Sequence, residues 1–191
     1  KCIGENRNIA VLSDGLGSGV KANVLSTMTA SMAMNFRVRH EPILRTIKAI
    51  MDTLPVDSVR NISYSTFTII DVDSDGEAKI VEFDNPPLLL VRDNKVTRIK
   101  TDDTIIKRKA EGDRQDERLI KMSNITLKKE DRLICFSDGV SQSGIGNRDM
   151  PFGWEDGIDE FIEELVKKKP KISARELSMR IVKQAELNDI L

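Results

Sequence analysis

The sequence predicts an α+β fold in which antiparallel sheets and helices are segregated along the chain. Three observations carry that expectation. One short apolar strand is followed by two helical segments, whereas a parallel sheet would return to a strand after each helix. A run of β-branched segments joined by short turns fills the middle of the chain. Two amphipathic helical segments close it. At 191 residues, with 39% hydrophobic and 32% charged side chains, the chain has apolar material for a core and suits one domain over 1–191.

Ile9-Ala10-Val11-Leu12 reads as a buried strand closed by Ser13-Asp14-Gly15. The glycine-studded turn 15–19 then opens a helix whose apolar residues Val20, Val24, Met28, Met32 and Phe36 recur every fourth place, which predicts a buried stripe. Pro42 suits the first turn of a second helix, carried by Ile43, Ile47, Ile50, Met51 and Leu54 and stopped before Pro55. From Thr66 the pattern turns β-branched, and Asp73-Ser74-Asp75-Gly76 links Thr66–Ile70 to Ala78–Phe83 as a hairpin. Leu88–Val91 and Val96–Ile99 flank a turn at Asp93-Asn94. The polar, charged stretch 101–118 reads as an exposed excursion, and strands are expected near 119–127 and 132–136. Ile158, Phe161, Ile162, Leu165 and Val166 mark one closing helix; Leu177, Ile181, Val182 and Ala185 mark the other.

Composition excludes several functions. Thirty basic and 31 acidic residues give a net charge of −1, and aromatics are only 4%. Neither the basic excess nor the stacking surface of a nucleic-acid binder is present. One histidine, His40, cannot build a His-cluster zinc site, and it fits a helix C-terminal end, where a cation is favoured. Cys2 and Cys135 form no CxxC pair, and Cys135 sits in an apolar run as a small hydrophobe, a usage that suits a reducing compartment. No run of 18 apolar residues occurs, so a cytoplasmic protein without membrane contact from this segment is expected.

Ser-Asp-Gly occurs three times. At 13–15 and 137–139 it directly follows four apolar residues, so strands deliver Asp14 and Asp138 to their C-terminal ends. Two carboxylates brought together without basic neighbours repel each other unless a cation or a shared proton compensates, and with no His or Cys partner nearby an all-oxygen site for Mg²⁺ or Mn²⁺ is the natural solution. Two ordinary Asp-Gly turns would also satisfy the spacing. The third copy lies in Asp71-x-Asp73-x-Asp75-Gly76 with Glu82 at the twelfth place, a calcium-loop pattern. Its flanks are strand-like and an EF-hand needs helices, so a hairpin turn is the preferred reading. Gly15-x-Gly17-x-Gly19 invites a dinucleotide reading, but Val20 stands where the last glycine belongs and a second helix follows the first.

Val11–Gly19 resembles the DGxGxG metal motif of metal-dependent Ser/Thr phosphatases of the protein phosphatase 2C type, in the branch named for stage II sporulation protein E. Thr66–Asp71 resembles the central strands of that branch, Asp84-Asn85-Pro86-Pro87-Leu88-Leu89-Leu90 its GNPP–LLL segment, and Leu133–Val140 its second metal strand. The resemblance spans about 9–187. It implies a central sandwich of two antiparallel β-sheets flanked by pairs of antiparallel helices, and hydrolysis of phosphoserine or phosphothreonine on a protein. It implies two Mn²⁺ or Mg²⁺ ions, with Asp14 bridging them, the Gly15 carbonyl on one and Asp138 on the other. A phosphorylated regulatory protein of the bacterial partner-switching (anti-anti-sigma-like) kind is the implied substrate, and a homodimer is compatible with it. A pseudophosphatase that only binds its partner is the alternative, and a calcium-binding β domain using Asp71, Asp73, Asp75 and Glu82 is the third reading.

The sequence departs from the family at both ends. The family has a metal-binding Asp on an earlier strand, but only 13 residues precede Asp14, and Glu5 is too near to belong to such a strand. The family ends in a D-D/N-(hydrophobic)-T/S segment; were Asn188-Asp189-Ile190-Leu191 that segment, Asn188 would occupy the ligand's place, so Asp189 is not taken as a site residue. The expectation is a domain lacking its first and last core strands, or some loops.

Overall fold

The computed structural model describes residues 7–17, 19–54, 65–109, 115–148, 150–155 and 157–190. Cys2, Glu5, Pro55 and residues 110–114 of the stretch read as an excursion lie outside them. The chain divides into two compact units, Lys1–Asn85 with Lys100–Lys128, and Pro86–Ile99 with Lys129–Leu191. As the sequence predicted, the fold is α+β with two antiparallel sheets.

The first unit holds β1 (Asn8–Leu12), α1 (Val20–Val38), α2 (Ile43–Thr53), β2 (Phe67–Val72), β3 (Glu77–Phe83), β6 (Asp102–Lys109) and β7 (Gln115–Thr126). The sheet order is β1-β2-β3-β7-β6, antiparallel throughout. Register places Phe67 opposite Phe83 and Ile69 opposite Val81. With period-2 alternation these side chains share one face, and Ile47, Ile50 and Met51 of α2, with its C-cap residue Leu54, pack in the same core. The Phe67 and Phe83 rings lie 5.4 Å apart. The α2 stripe is the one its spacing predicted.

The α1 stripe is not. Val20, Val24 and Met28 are 81%, 48% and 46% exposed, and the buried residues are Ala22, Thr29, Ala33 and Arg37. That set also follows the helical period, one face around from the large apolar residues. Small side chains let α1 lie close to its neighbours: a Cβ on Gly15 would meet the Ala22 carbonyl oxygen at 2.2 Å. Close approach, rather than bulk, chose the buried face. Val24→Lys is therefore expected to change stability by less than about 0.5 kcal/mol in urea unfolding, as exposed substitutions do. Ile47→Ala, which empties a fully buried site, should cost about 2–5 kcal/mol.

The stretch read as an excursion is instead β6 and the start of β7, paired from Asp102↔Met122 to Lys109↔Gln115. Its polarity is that of a sheet edge. β6 has one strand neighbour, and charges along an edge discourage pairing with other chains. Lys107 and Glu117 pair at 3.6 Å across the two strands.

The calcium-like segment is the β2–β3 hairpin. Asp73 Oδ1 accepts the N–H groups of Asp75 and Glu77, both at 3.0 Å, a side-chain-stabilised turn. Asp71, the first position of the pattern, is a buried β2 residue ion-paired to Arg7 and Arg37, and Glu82 is buried on β3. Neither is available to a loop cation. Calorimetric titration should show no micromolar calcium site, and Asp73→Asn should shift stability by less than about 1 kcal/mol. A tight site lost in that variant would contradict the hairpin assignment.

The second unit holds β4 (Leu89–Arg92), β5 (Lys95–Arg98), β8 (Arg132–Ile134), α3 (Asp138–Ser141), α4 (Ile158–Lys168) and α5 (Ala174–Asn188), with sheet order β5-β4-β8. Its core gathers Leu89, Val91 and Phe136 with Ile158, Ile162 and Val166 of α4 and Leu177, Ile181 and Ala185 of α5. Val182, expected in that stripe, is 48% exposed. The Ser173 hydroxyl caps α5 by accepting the Glu176 N–H at 3.1 Å. Trp154 meets Phe161 edge-on at 5.1 Å.

Candidate metal-binding residues

Asp14 lies two residues past the end of β1, as the apolar run before it implied. Its backbone is fixed by the residues that lead into β2. The Asp14 carbonyl accepts the Thr66 N–H and the Ser65 hydroxyl, each at 2.9 Å. The Ser13 hydroxyl donates to the Thr66 carbonyl at 2.7 Å, and Gly15 bridges Ser65. The Gly15 N–H donates to Asp14 Oδ1 at 2.8 Å, which orients the carboxylate. Gly15 admits no side chain, because α1 approaches it so closely. Gly17 and Gly19 have φ of 82° and 90°, the left-handed region that glycine adopts without strain.

Asp138 opens α3 after Ser137, four residues beyond the end of β8. Its carbonyl accepts the Gln142 N–H at 2.7 Å, and its side chain is exposed. Among the described residues no cation pairs with Asp14 or Asp138. Each carboxylate is thus un-neutralised within its own unit, and Asp14 and the Gly15 carbonyl offer oxygen donors in the first unit as Asp138 does in the second. That chemistry fits Mg²⁺ or Mn²⁺. Among the described residues, no group of three or more His, Cys, Asp or Glu side chains gathers as a metal site.

Other candidates have different roles. His40 follows α1 with φ of 60°, and its Nδ1 lies 2.8 Å from Arg7 Nη1. Cys135 is half-buried and lines an apolar groove of about 620 Å³ between β8 and α5, with Leu133, Phe136, Leu177 and Ile181. Asp138 does not line that groove, which carries no convergent set of catalytic groups. Sequence reading missed one buried charge centre: Asp71 Oδ1 accepts Arg7 Nε at 2.7 Å, and Oδ2 accepts Arg7 Nη2 at 2.5 Å and Arg37 Nε at 2.8 Å. Burial pushes the Asp71 carboxyl up, but the hydrogen bonds and charges of both guanidiniums outweigh it and hold Asp71 below the ordinary carboxylate value. The only sequence signal for this centre was a lone acid in an apolar strand.

The two antiparallel sheets and their helices match the fold of protein phosphatase 2C-type domains. The phosphatase domain of SpoIIE from Bacillus subtilis, solved with a fragment of its regulatory domain, superimposes with a TM-score of 0.68 at 18% identity, over 98% of this chain and 52% of that one. The RsbU and RsbW domains of a Mycobacterium tuberculosis protein give 0.67 at 14%, over 94% and 47%. The catalytic domain of the serine/threonine phosphatase PstP, in complex with two manganese ions, gives 0.58 at 17%, over 97% and 87%. The chain thus spans about half the length of the first two. Residues 4–189 match the model of the stage II sporulation protein E (SpoIIE) family, and the chain belongs to that family. No curated protein matches it. No described helix is long and apolar enough to cross a membrane.

Proposed function

We propose that the protein is a divalent-metal-dependent phosphatase acting on phosphoserine or phosphothreonine of a regulatory protein. The observation that carries this reading is the Asp14 loop: a carboxylate with no cationic partner among the described residues, held on a backbone locked to Ser65 and Thr66, beside a glycine with no room for a side chain. The family and the manganese-bound PstP relative support it. Asp14 would hold both ions, the Gly15 carbonyl one of them, and Asp138 the other.

When bound, two Mn²⁺ or Mg²⁺ ions lower the pKa of water and offset the charge of the phosphoryl oxygens for in-line displacement. The protein's part is positioning. The Gly15 N–H fixes one Asp14 oxygen and leaves the other free to ligate. The Gly15 backbone is held between Ser65 and α1, which fixes the direction of its carbonyl. No histidine base is needed, and His40 is engaged with Arg7. With two carboxylates and one carbonyl, ion affinity should be on the order of millimolar. A phosphorylated partner-switching regulator is the proposed substrate, and the cytoplasm the proposed compartment.

Aryl phosphate hydrolysis measured with Mn²⁺ and with EDTA tests the proposal. Turnover should appear only with the ion. No turnover at any Mn²⁺ concentration would favour a pseudophosphatase that binds its partner without catalysis.

A further inference from the structure

Asp138 is followed at once by a buried polar relay. Gln184 Nε2 donates to Asn188 Oδ1 at 2.9 Å, and Asn188 Nδ2 donates to the Ser143 hydroxyl at 3.2 Å. Ser143 in turn donates to the Val140 carbonyl at 2.9 Å. One residue further along α5's end, Asp189 Oδ1 accepts the Gly144 N–H at 2.7 Å. Asn188 and Ser143 are 1% and 2% exposed. Gly144 has φ of 73°, and a Cβ there would meet the Asn188 carbonyl oxygen at 3.2 Å. The turn after α3 is therefore seated directly on the end of α5.

A four-residue helix cannot hold its own geometry, since it closes barely one turn of hydrogen bonds. The direction of the Asp138 carboxylate then depends on what fixes residues 139–144. The end of α5 does so at two points, one side chain to side chain and one side chain to backbone.

We propose that Asn188 and Asp189 are positioning residues for Asp138, and that the carboxylate of Asp189 serves the site from the Gly144 amide rather than as an ion ligand. This rests on the reading of Asp138 as a metal ligand. It also accounts for Asn188: its amide must donate to Ser143, which a carboxylate cannot do.

The test combines Mn²⁺ binding, by electron paramagnetic resonance, with amide hydrogen exchange of the metal-free protein. Asp189→Ala should weaken Mn²⁺ binding about 10-fold, the low end of the loss seen when an outer-shell partner is removed, since it acts on Asp138 through the Gly144 turn, and should speed exchange at 139–146. Asp189→Asn keeps the acceptor oxygen and should restore both. Unchanged exchange in Asp189→Ala would overturn the clamp. Faster exchange with unchanged Mn²⁺ affinity would overturn its positioning role. Asp138→Asn separates the two readings: if it leaves Mn²⁺ binding intact, Asp138 is no ligand, while the exchange data still decide whether the clamp exists.

Discussion

Asp14→Asn is expected to reduce Mn²⁺-dependent turnover by about 10²-fold or more while the protein stays folded. The substitution removes the charge proposed to bridge the two ions and almost no volume. Charge stabilisation by such ions is worth several kcal/mol in the transition state, and each 1.4 kcal/mol is tenfold in rate. The asparagine oxygen can still accept the Gly15 N–H, and the backbone hydrogen bonds to Ser65 and Thr66 do not involve the side chain. Thermal unfolding should therefore barely move. Wild-type turnover in this variant at saturating Mn²⁺ would contradict the assignment of Asp14.

The largest effect on stability is expected at Asp71. Asp71→Asn leaves Arg37, itself buried, without the carboxylate that receives its Nε and Nη2, and deprives Arg7 of the same partner. Breaking a buried ion pair on one side costs about 3–5 kcal/mol, because the remaining charge is left uncompensated. The centre ties β2 to α1 and to the residue before β1, so the loss should be felt by the whole first unit. Acid should reproduce part of the effect. Because the folded Asp71 pKa lies below its unfolded value of about 3.9, its contribution is full above that value. It is lost as pH falls through the lower folded value, where the native carboxylate is finally protonated. Urea unfolding between pH 7 and pH 2.5 should show this fall in the wild type. In Asp71→Asn that component of the slope should be absent.

The elements most legible in the sequence were those whose pattern reports one environment. α2 has a single apolar stripe and buried it as expected. The runs before Asp14 and Asp138 are short, apolar and closed by glycine, so both carboxylates stand just past strand ends. α1 misled because it carries apolar residues on more than one face, and the face that was buried holds alanine and threonine. Periodicity detects hydrophobic bulk; it does not detect room for a close backbone approach. β6 was missed for the opposite reason, since an edge strand rich in charge lacks the apolar alternation that marks a half-buried one. Asp71 looked like the first ligand of a calcium loop because spacing along the chain is blind to Arg7 and Arg37, 64 and 34 residues away. The link from Asp189 to Gly144 was likewise invisible, because it joins residues 45 positions apart through a backbone amide.

Release of phosphate from a phosphoserine peptide by the wild-type chain, followed across a Mn²⁺ titration after removal of all divalent ions, tests the central claim most directly. The account predicts no release without the ion, a rise that saturates on the order of millimolar Mn²⁺, and loss of that rise in Asp14→Asn. Release that persists undiminished without any divalent ion, or that is unchanged in Asp14→Asn, would contradict it.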